Sequence, residues 1–333
     1  MSCPSKKLNS GHDMPMVGLG TWQAAPGEVG AAVRTALEAG YRHIDCAACY
    51  GNEKEIGDVL AEMLGDGEGQ IPRSEVFITS KLWNSEHAPA HVQPALDQTL
   101  ADLQLAYLDL YLVHWPQCFE KVEGTNRGFP KNEDGSMRYD MSTSSAQTWE
   151  AMEACVAAGK TRSIGLSNFN SEQISAICAT AQVQPAVLQV EVHPYFAQKA
   201  LLAFCESKGI AVTAYSPLAS GATGKEGHTI PVHPVLRAIG ERNGGRSAAQ
   251  VAVAWQLQRG VIVIPKSVTA ARVQQNFDVF FDMSADDVAA VDALDENCRM
   301  GWGGPQVERN GQMRPRDEAH PLYPFKADDS SFF

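Results

Sequence analysis

The chain has 333 residues, of which 44% are hydrophobic and 20% are charged. These proportions are typical of a globular protein with a sizeable core, and the length fits one large barrel as well as two smaller domains. The formal net charge is −12, and the sequence contains no cluster of Lys or Arg. Both observations argue against a nucleic-acid-binding surface.

Membrane insertion and secretion are not indicated either. The first seven residues contain no apolar segment, so we expect no signal peptide, and no apolar stretch is long enough to span a bilayer. The eight cysteines favour reduced thiols in the cytosol. Cys46 and Cys49 have the spacing of a redox pair or half a zinc site, but no second pair completes a zinc site. Small residues in a tight turn are the favoured interpretation, and we expect no metal.

Short β-rich runs alternate with helical stretches along the chain. Strands are predicted at 17–19, 43–45, 76–80, 108–113, 162–166, 186–190, 211–214 and 261–264. Helices are predicted at 29–39, 54–64, 88–103, 146–158, 171–181, 199–207, 248–258 and 270–277. Eight strands alternating with helices predict an α/β fold, a closed parallel (β/α)₈ TIM barrel formed by a single domain over residues 1–333.

Three segments are longer than a minimal barrel requires, at 117–145, at 218–234 and in the tail at 297–333. Long polar loops of this kind are commonly lids or binding loops. Active sites of such barrels lie at the rim formed by the carboxyl ends of the strands. We therefore expect all three segments to border that rim, with the tail on the substrate side.

Four ionisable side chains follow apolar runs and predict a proton-delivery site. Asp45, Lys81 and His114 close three predicted strands, and Tyr50 comes five residues after Asp45. A nearby ammonium lowers the pKa of a tyrosine from its ordinary value of about 10. We predict that Tyr50 is a general acid, that Lys81 lowers its pKa, that Asp45 holds Lys81 and that neutral His114 donates to a carbonyl oxygen. The alternative, a buried Tyr and His beside a Lys–Asp salt bridge, is weaker for four residues together than for any one.

The eighth strand leads into a helix whose first N–H groups form a natural anion site. Positively charged, hydroxyl and amide side chains cluster there, and we expect them to surround a phosphate and an adenine. They are Lys266, Ser267, Thr269, Arg272, Gln275 and Asn276. A solvated helix start with ordinary caps is the alternative for each residue alone.

Single polar residues at other strand ends suit a nicotinamide. Ser167, Asn168 and Gln189 offer donors and acceptors to its carboxamide, and Tyr215 can stack on its ring. The run Gly18-Leu-Gly-Thr-Trp22 begins like a dinucleotide-binding fingerprint, but Gln23 occupies the third glycine position. A Rossmann fingerprint is therefore rejected.

Several long motifs, in order along almost the whole chain, resemble the aldo-keto reductase family. They are Gly18-Leu-Gly-Thr-Trp22, Gly40-Tyr-Arg-His-Ile-Asp-Cys-Ala-Ala-Cys-Tyr-Gly-Asn-Glu53, Thr79-Ser-Lys-Leu-Trp83, Leu110-Tyr-Leu-Val-His-Trp-Pro116, Gly165-Leu-Ser-Asn-Phe169, Gln189-Val-Glu-Val-His-Pro-Tyr195 and Ile264-Pro-Lys-Ser267. The resemblance implies a monomeric barrel without metal that transfers a hydride from NADPH to a carbonyl carbon, with the proton from Tyr50. It extends the expected NADPH/NADP⁺ contacts to Gly20, Thr21, Trp22, Asp45, Ser216, Leu218, Ser220 and Val268.

The resemblance also bears on the substrate. Trp22, Trp115, Tyr50 and His114 would line an aromatic pocket for aldehydes and some ketones. The tail Arg314-Pro-Arg-Asp-Glu-Ala-His-Pro-Leu-Tyr-Pro-Phe325 resembles the aldehyde-reductase branch of the family, in which the residue matching Arg316 binds carboxylates such as that of a uronic acid. Alternatively, Arg316 only anchors the tail by an ion pair worth ~0–1 kcal/mol.

Two rival functions stay open from the sequence. One is a redox-sensing binding subunit resembling the β subunits of potassium channels, and the other is an aldolase that forms a Schiff base with Lys81. Cys49, next to Tyr50, is assigned no role.

Overall fold

The structure is a computed structural model that describes residues 3–133, 135–219, 229–300, 306–309 and 312–325. Two short strands, β1 (Ser5–Lys7) and β2 (Asp13–Pro15), first pair antiparallel. Eight parallel strands then follow in sequence order around one sheet. They are β3 (Leu19–Gly20), β4 (His43–Asp45), β5 (Phe77–Leu82), β6 (Leu108–Val113), β7 (Thr161–Ser167), β8 (Val187–Glu191), β9 (Ala211–Tyr215) and β10 (Ile262–Val263).

The sheet closes because its first and last strands meet. Parallel bridges join Val17 to Val263 and Gly20 to Lys266, and the amide of Gly18 donates to the carbonyl of Val263 at 2.8 Å. A Cβ atom on Gly20 would lie 2.7 Å from the backbone oxygen of Ile264, so the closure requires glycine there. The predicted (β/α)₈ barrel is confirmed.

Ten α-helices lie among the described residues. They are α1 (Glu28–Glu38), α2 (Glu53–Met63), α3 (Pro89–Leu103), α4 (Ser145–Ala157), α5 (Ser171–Cys178), α6 (Lys199–Ser207), α7 (Pro234–Arg242), α8 (Ala248–Gln258), α9 (Ala270–Phe277) and α10 (Ala285–Asp292). Their apolar faces cover the barrel, and α1 buries Val29, Val33 and Leu37 in this way. The bounds of the eight predicted helices are met to within three residues. Helix α10 begins after Ser284, where a capping signal and first-turn acids predict a helix start, whereas α7 was not predicted.

A second apolar cluster lies inside the barrel at the amino ends of the strands. There Leu8 and Met14 of the N-terminal hairpin pack with Phe77, Leu110 and Ile262. The hairpin thus fills this end of the barrel, and the opposite end is formed by the carboxyl ends of the strands.

The loop at 117–145 and the tail meet at that opposite end, as predicted. Tyr139 of the loop donates to Asp317 of the tail at 2.7 Å. The tail also contains an antiparallel pair, β11 (Gln306–Arg309) and β12 (Gln312–Pro315), which was not predicted. Of the segment at 218–234, residues 220–228 lie outside the described part. No helix among the described residues is long and apolar enough to cross a membrane.

Candidate active site

A buried ion pair forms the centre of the site. Lys81 near the end of β5 donates from Nζ to Oδ2 of Asp45, the last residue of β4, at 2.7 Å. It also donates to the backbone oxygen of Cys46 at 2.8 Å and to the hydroxyl of Tyr50 at 3.3 Å. The Lys81 side chain is 0% exposed and that of Asp45 2%. The other carboxylate oxygen of Asp45 accepts from Gln189 Nε2 at 2.8 Å.

Tyr50 is protonated in this setting. It ends a short 3₁₀ turn, Ala48–Tyr50, which directs its ring to within 5.0 Å of Lys81 Nζ. Burial raises the pKa of Tyr50 well above its ordinary value, and the charge of Asp45 raises it further. The predicted lowering of this pKa is wrong for the protein alone, because burial and the charge of Asp45 outweigh the effect of the Lys81 ammonium, which Asp45 pairs with at 2.7 Å. The phenol therefore retains its proton at neutral pH, as a proton donor must.

His114 lies beside Tyr50 at the end of β6, and their ring centroids are 5.9 Å apart. Burial lowers the pKa of His114 well below its ordinary value, and the charge of Lys81 lowers it further, so the imidazole is neutral. The edge of the buried Trp83 ring packs against it at 5.4 Å. Cys49 Sγ lies 3.5 Å from His114 Nδ1. Neither the contact with Trp83 nor the contact with Cys49 was predicted from the sequence.

The polar residues predicted for nicotinamide are also close together. Asn168 has a φ of 63° just after β7, and its Nδ2 donates to the backbone oxygen of His114 at 3.0 Å and to Ser167 Oγ at 3.1 Å. Tyr215 donates to Asn168 Oδ1 at 2.8 Å, which fixes the ring at the end of β9. Hydrogen bonds therefore link Ser167 and Tyr215 through Asn168, while Gln189 is linked to Asp45.

The remaining predicted contacts at the barrel rim have structural roles of their own. Gly20 lies at the barrel closure, and buried Thr21 donates to the backbone oxygen of Asp45 at 2.8 Å. Trp22 is half-buried in the same segment. Ser216, with a φ of 47°, and Leu218 are half-buried after β9. The predicted contact Ser220 lies outside the described residues.

The start of α9 presents two positive charges. Lys266 and Arg272 are exposed, and among the described residues no carboxylate forms a salt bridge with either one. Lys266 Nζ is 3.4 Å from the backbone oxygen of Gln23. Thr269 caps the helix without a side-chain hydrogen bond, and its amide donates to Ser267 Oγ at 3.2 Å. The first turn of α9 therefore combines cationic side chains with a helix N-terminus, as a phosphate requires.

The other residues predicted to bind the cofactor around α9 differ in their exposure to solvent. Gln275 is exposed, Val268 is half-buried and Asn276 is buried. Adjacent helical positions diverge by about 100°, so Gln275 faces solvent while Asn276 lies on the inner side of α9.

The tail reaches the site through Arg316 and Phe325. The Phe325 ring lies 5.9 Å from the half-buried Trp115, which follows His114. Arg316 forms a two-pronged pair with Asp317, with both N···O distances 2.6 Å, and its side chain is 12% exposed. Its guanidinium also lies 5.4 Å from the Phe119 ring. The pair with Asp317 lies within the tail, but the contact with Phe119 and the bond from Tyr139 to Asp317 attach it to the loop at 117–145, which favours the anchoring alternative for Arg316 in the protein alone.

A second anchor of the tail escaped sequence reasoning. Arg299 lies 3.6 Å from the centroid of Phe325 and 4.6 Å from that of Phe196. Fully buried Glu191, at the end of β8, is 3.6 Å from this guanidinium and accepts from the amide of Met300 at 2.7 Å. The position of Glu191 directly after a predicted strand could have indicated a functional residue. Its partner Met300, however, is more than 100 residues away in the sequence.

The spacing of Cys46 and Cys49 raised a redox pair or half a zinc site as alternatives. All eight are free, and Cys46 is buried. Among the described residues, no three His, Cys, Asp or Glu side chains are grouped so that they could hold a metal ion.

A family model for the Aldo/keto reductase family matches residues 16–296. The chain belongs to this family. It is 52% identical to mouse aldo-keto reductase family 1 member A1 over 98% of this chain and 99% of that protein. It is 53% identical to the human protein of the same name over 96% of this chain and 97% of that protein.

A solved structure agrees with these relatives. An aldose reductase from Schistosoma japonicum superposes with a TM-score of 0.84 at 39% identity, over 98% of this chain and 99% of that one. Membership of the family confirms the predicted enzyme class, an oxidoreductase that reduces aldehydes and ketones.

Proposed function

We propose that this aldo/keto reductase reduces aldehydes, and some ketones, to alcohols with NADPH, and that Tyr50 donates the proton. The observation that carries the proposal is the buried cluster in which Lys81 bonds both Asp45 and Tyr50 beside a neutral His114. The names of the mammalian relatives and of the aldose reductase support the same reaction class.

The residues around α9 fit the phosphate of such a cofactor. Lys266 and Arg272 are cations without a carboxylate partner in the described chain, and they flank a helix N-terminus. A phosphate accepts charge-assisted hydrogen bonds from such groups, and an extra phosphate distinguishes NADPH from NADH. Bound NADPH would supply the hydride. The nicotinamide would be oriented by two sets of polar side chains: Ser167, Asn168 and Tyr215, which hydrogen bonds link together, and Gln189, which donates to Asp45.

The chain's own residues account for the proton. As negative charge develops on a substrate oxygen, Tyr50 donates its phenolic proton to it. Lys81, bonded to the phenolic oxygen, then stabilises the phenolate that is formed, and Asp45 keeps the ammonium in place. Neutral His114 retains one ring N–H, which can hold the same oxygen in position.

Schiff-base chemistry at Lys81 is disfavoured by its contacts. An ammonium has three donors, and Asp45, Cys46 and Tyr50 accept one bond each. A fully buried ammonium held in this way is a poor nucleophile, because it must lose a proton and break the pair with Asp45 first.

In our proposal, the substrate pocket is lined by Trp22, Tyr50, His114 and Trp115. The tail at 297–333 lies on the substrate side, and residues 1–333 form one domain. Carboxylated aldehydes such as uronic acids would use Arg316. We further propose a monomer in the cytosol that acts on small carbonyl compounds. The eight free cysteines support a reducing compartment.

The test of the proposed function is Tyr50→Phe, which deletes one hydroxyl. We expect turnover of an aromatic aldehyde with NADPH to fall by about 10² or more, since positioned proton transfer contributes ~10²–10⁴-fold. NADPH affinity, followed by the quenching of protein fluorescence, should be largely unchanged. Tyr107→Phe removes the same group at the amino end of β6 and serves as the matched control. Turnover retained in Tyr50→Phe would rule out this proton donor.

A further inference from the structure

We infer that Cys49 is a positioning residue for His114. Its thiol donates to Nδ1 of the imidazole and thereby holds the ring in the tautomer whose Nε2 carries the proton. The inference deepens the proposed function and rests on it, since His114 is the group that would hold the substrate oxygen.

The contact follows from the turn that also sets Tyr50. Cys49 lies inside the 3₁₀ turn Ala48–Tyr50, directly before Tyr50, and its Sγ is 3.5 Å from His114 Nδ1. The imidazole plane is held on other sides by the Trp83 and Tyr50 rings, which meet it at 78° and 76°. The ring is thus fixed, and its Nδ1 faces the sulfur.

The protonation states decide which atom donates. Burial lowers the pKa of His114, so the neutral ring has one N–H and one lone pair. Burial raises the pKa of Cys49 well above its ordinary value, so the sulfur retains its hydrogen. A neutral imidazole nitrogen is a good acceptor, whereas a thiol sulfur is a weak one. The favoured bond therefore runs from S–H to Nδ1, and the ring proton resides on Nε2.

The other groups around His114 do not fix the tautomer in this way. Lys81 and His87 act on the imidazole through charge, and Asn168 bonds the backbone oxygen of His114. Among the described residues, Cys49 provides the hydrogen-bonding contact to a ring nitrogen of His114. With the proton on Nε2 the ring can donate to a carbonyl oxygen, whereas the other tautomer would direct a lone pair at that oxygen.

The first readout is the ring itself, in the protein without substrate. Protein labelled with ¹⁵N-histidine reports the two ring nitrogens of His114 by NMR, and His114→Gln identifies their signals. We expect a protonated Nε2 and an unprotonated Nδ1 in the native protein. Cys49→Val removes the donor at similar volume and should give a mixture of tautomers. Cys49→Ser retains a hydroxyl donor and should restore much of the Nε2–H form.

The second readout is activity on an uncharged aldehyde. We expect kcat/KM to fall roughly three- to tenfold in Cys49→Val, as for the loss of one weak neutral hydrogen bond, with partial recovery in Cys49→Ser. Cys178→Val changes the same atoms on α5, away from His114, and should leave both the spectrum and the kinetics as they are.

Two results would overturn the inference. One is a native His114 with its proton on Nδ1, since the thiol would then be the acceptor. The other is an unchanged His114 spectrum in Cys49→Val, even if activity falls, since the role would then be packing. Neither depends on turnover, so a failure of the proposed function, seen in Tyr50→Phe, can be told apart from a failure of this inference.

Discussion

Lys81 is the residue on which the site depends most. It is fully buried, and its ammonium bonds a carboxylate, a backbone oxygen and a phenol. Removing an ion pair from water is costly, so such a pair persists only when the geometry and the extra hydrogen bonds compensate for it. Replacing Lys81 should therefore lower both the stability of the fold and the activity. The two losses have different causes, so they can be measured separately.

Lys81→Met tests this separation. We expect the free energy of unfolding to fall by about 3–5 kcal/mol, because Asp45 is left buried without its partner. Turnover should fall by ~10²–10⁴-fold, because Tyr50 loses the charge that stabilises its phenolate. Urea denaturation and steady-state kinetics measure the two effects. The double variant Asp45→Asn, Lys81→Met should recover much of the stability but none of the turnover. Recovery of both would show that Lys81 is only structural.

Sequence alone predicted which four residues gather at the centre of the site, since three of them end strands of one barrel. It did not predict the direction of the Tyr50 pKa, because burial and the charge of Asp45 outweigh a Lys81 that Asp45 already balances. The Cys49 contact was also missed. Which side of a 3₁₀ turn faces His114 depends on backbone geometry that the order of residues does not specify.

Among the elements, the start of α9 is where we propose that NADPH is distinguished from NADH. Lys266→Met and Arg272→Met should each weaken NADPH binding by roughly ten- to a hundredfold, the equivalent of about 1.5–3 kcal/mol for a hydrogen bond to a charged group. NADH binding should change little, because NADH lacks the additional phosphate. Calorimetric titration of both nucleotides measures this. Lys208→Met, an exposed lysine after α6, controls for the loss of one charge. Equal losses for the two nucleotides would contradict the phosphate site.

The tail offers a test of the two interpretations of Arg316. Arg316→Ala removes the guanidinium, and we expect it to raise KM for an aldehyde bearing a carboxylate about tenfold more than for an uncharged analogue, as loss of a charge-assisted contact predicts. Asp317→Asn weakens the anchor but retains the guanidinium, so its effect should be equal for the two substrates. If both variants affect the two substrates equally, Arg316 serves only to anchor the tail.

At the level of elements, the regular part of the barrel was predictable, because each strand is a short apolar run followed by a helix. Helix α7 was missed since it lies outside that alternation, although Pro234 at its first position was a readable signal. The N-cap of α5 is Asn170, which forms a reciprocal capping pair with Gln173. Contacts of the tail with Asn170, Gln173 and Glu191 join residues too far apart in sequence to be predicted.

Across the whole molecule, one buried carboxyl links the helical layer to the barrel. Glu53 at the start of α2 accepts hydrogen bonds from Ser80 of β5 and Thr99 of α3. Ser80 precedes Lys81, so the same strand carries the centre of the site on one side and this contact on the other. Glu53 is 3% exposed, and burial raises its pKa to about 7.

This pKa predicts how stability depends on pH. Below about pH 4.5 Glu53 is protonated in both the folded and the unfolded chain and contributes no pH dependence. Between pH 4.5 and about 7 the unfolded chain loses this proton while the folded chain retains it, so the free energy of unfolding falls as pH rises. Above pH 7 the full destabilisation, on the order of 3 kcal/mol for this shift, is present. Glu53→Gln retains a hydrogen-bonding group but cannot ionise.

The difference in unfolding free energy between Glu53→Gln and the native chain isolates this single group from all other titrations. We expect the free energy of unfolding of Glu53→Gln to rise relative to that of the native chain from pH 4.5 to 7, and the difference to level off above pH 7. Urea denaturation across that range measures both free energies. Glu68→Gln, which removes an exposed acid, controls for the loss of one negative charge. A difference that stays flat from pH 4.5 to 8 would mean that Glu53 ionises alike in both states. In that case the contact between α2, β5 and α3 carries a charge at all working pH values.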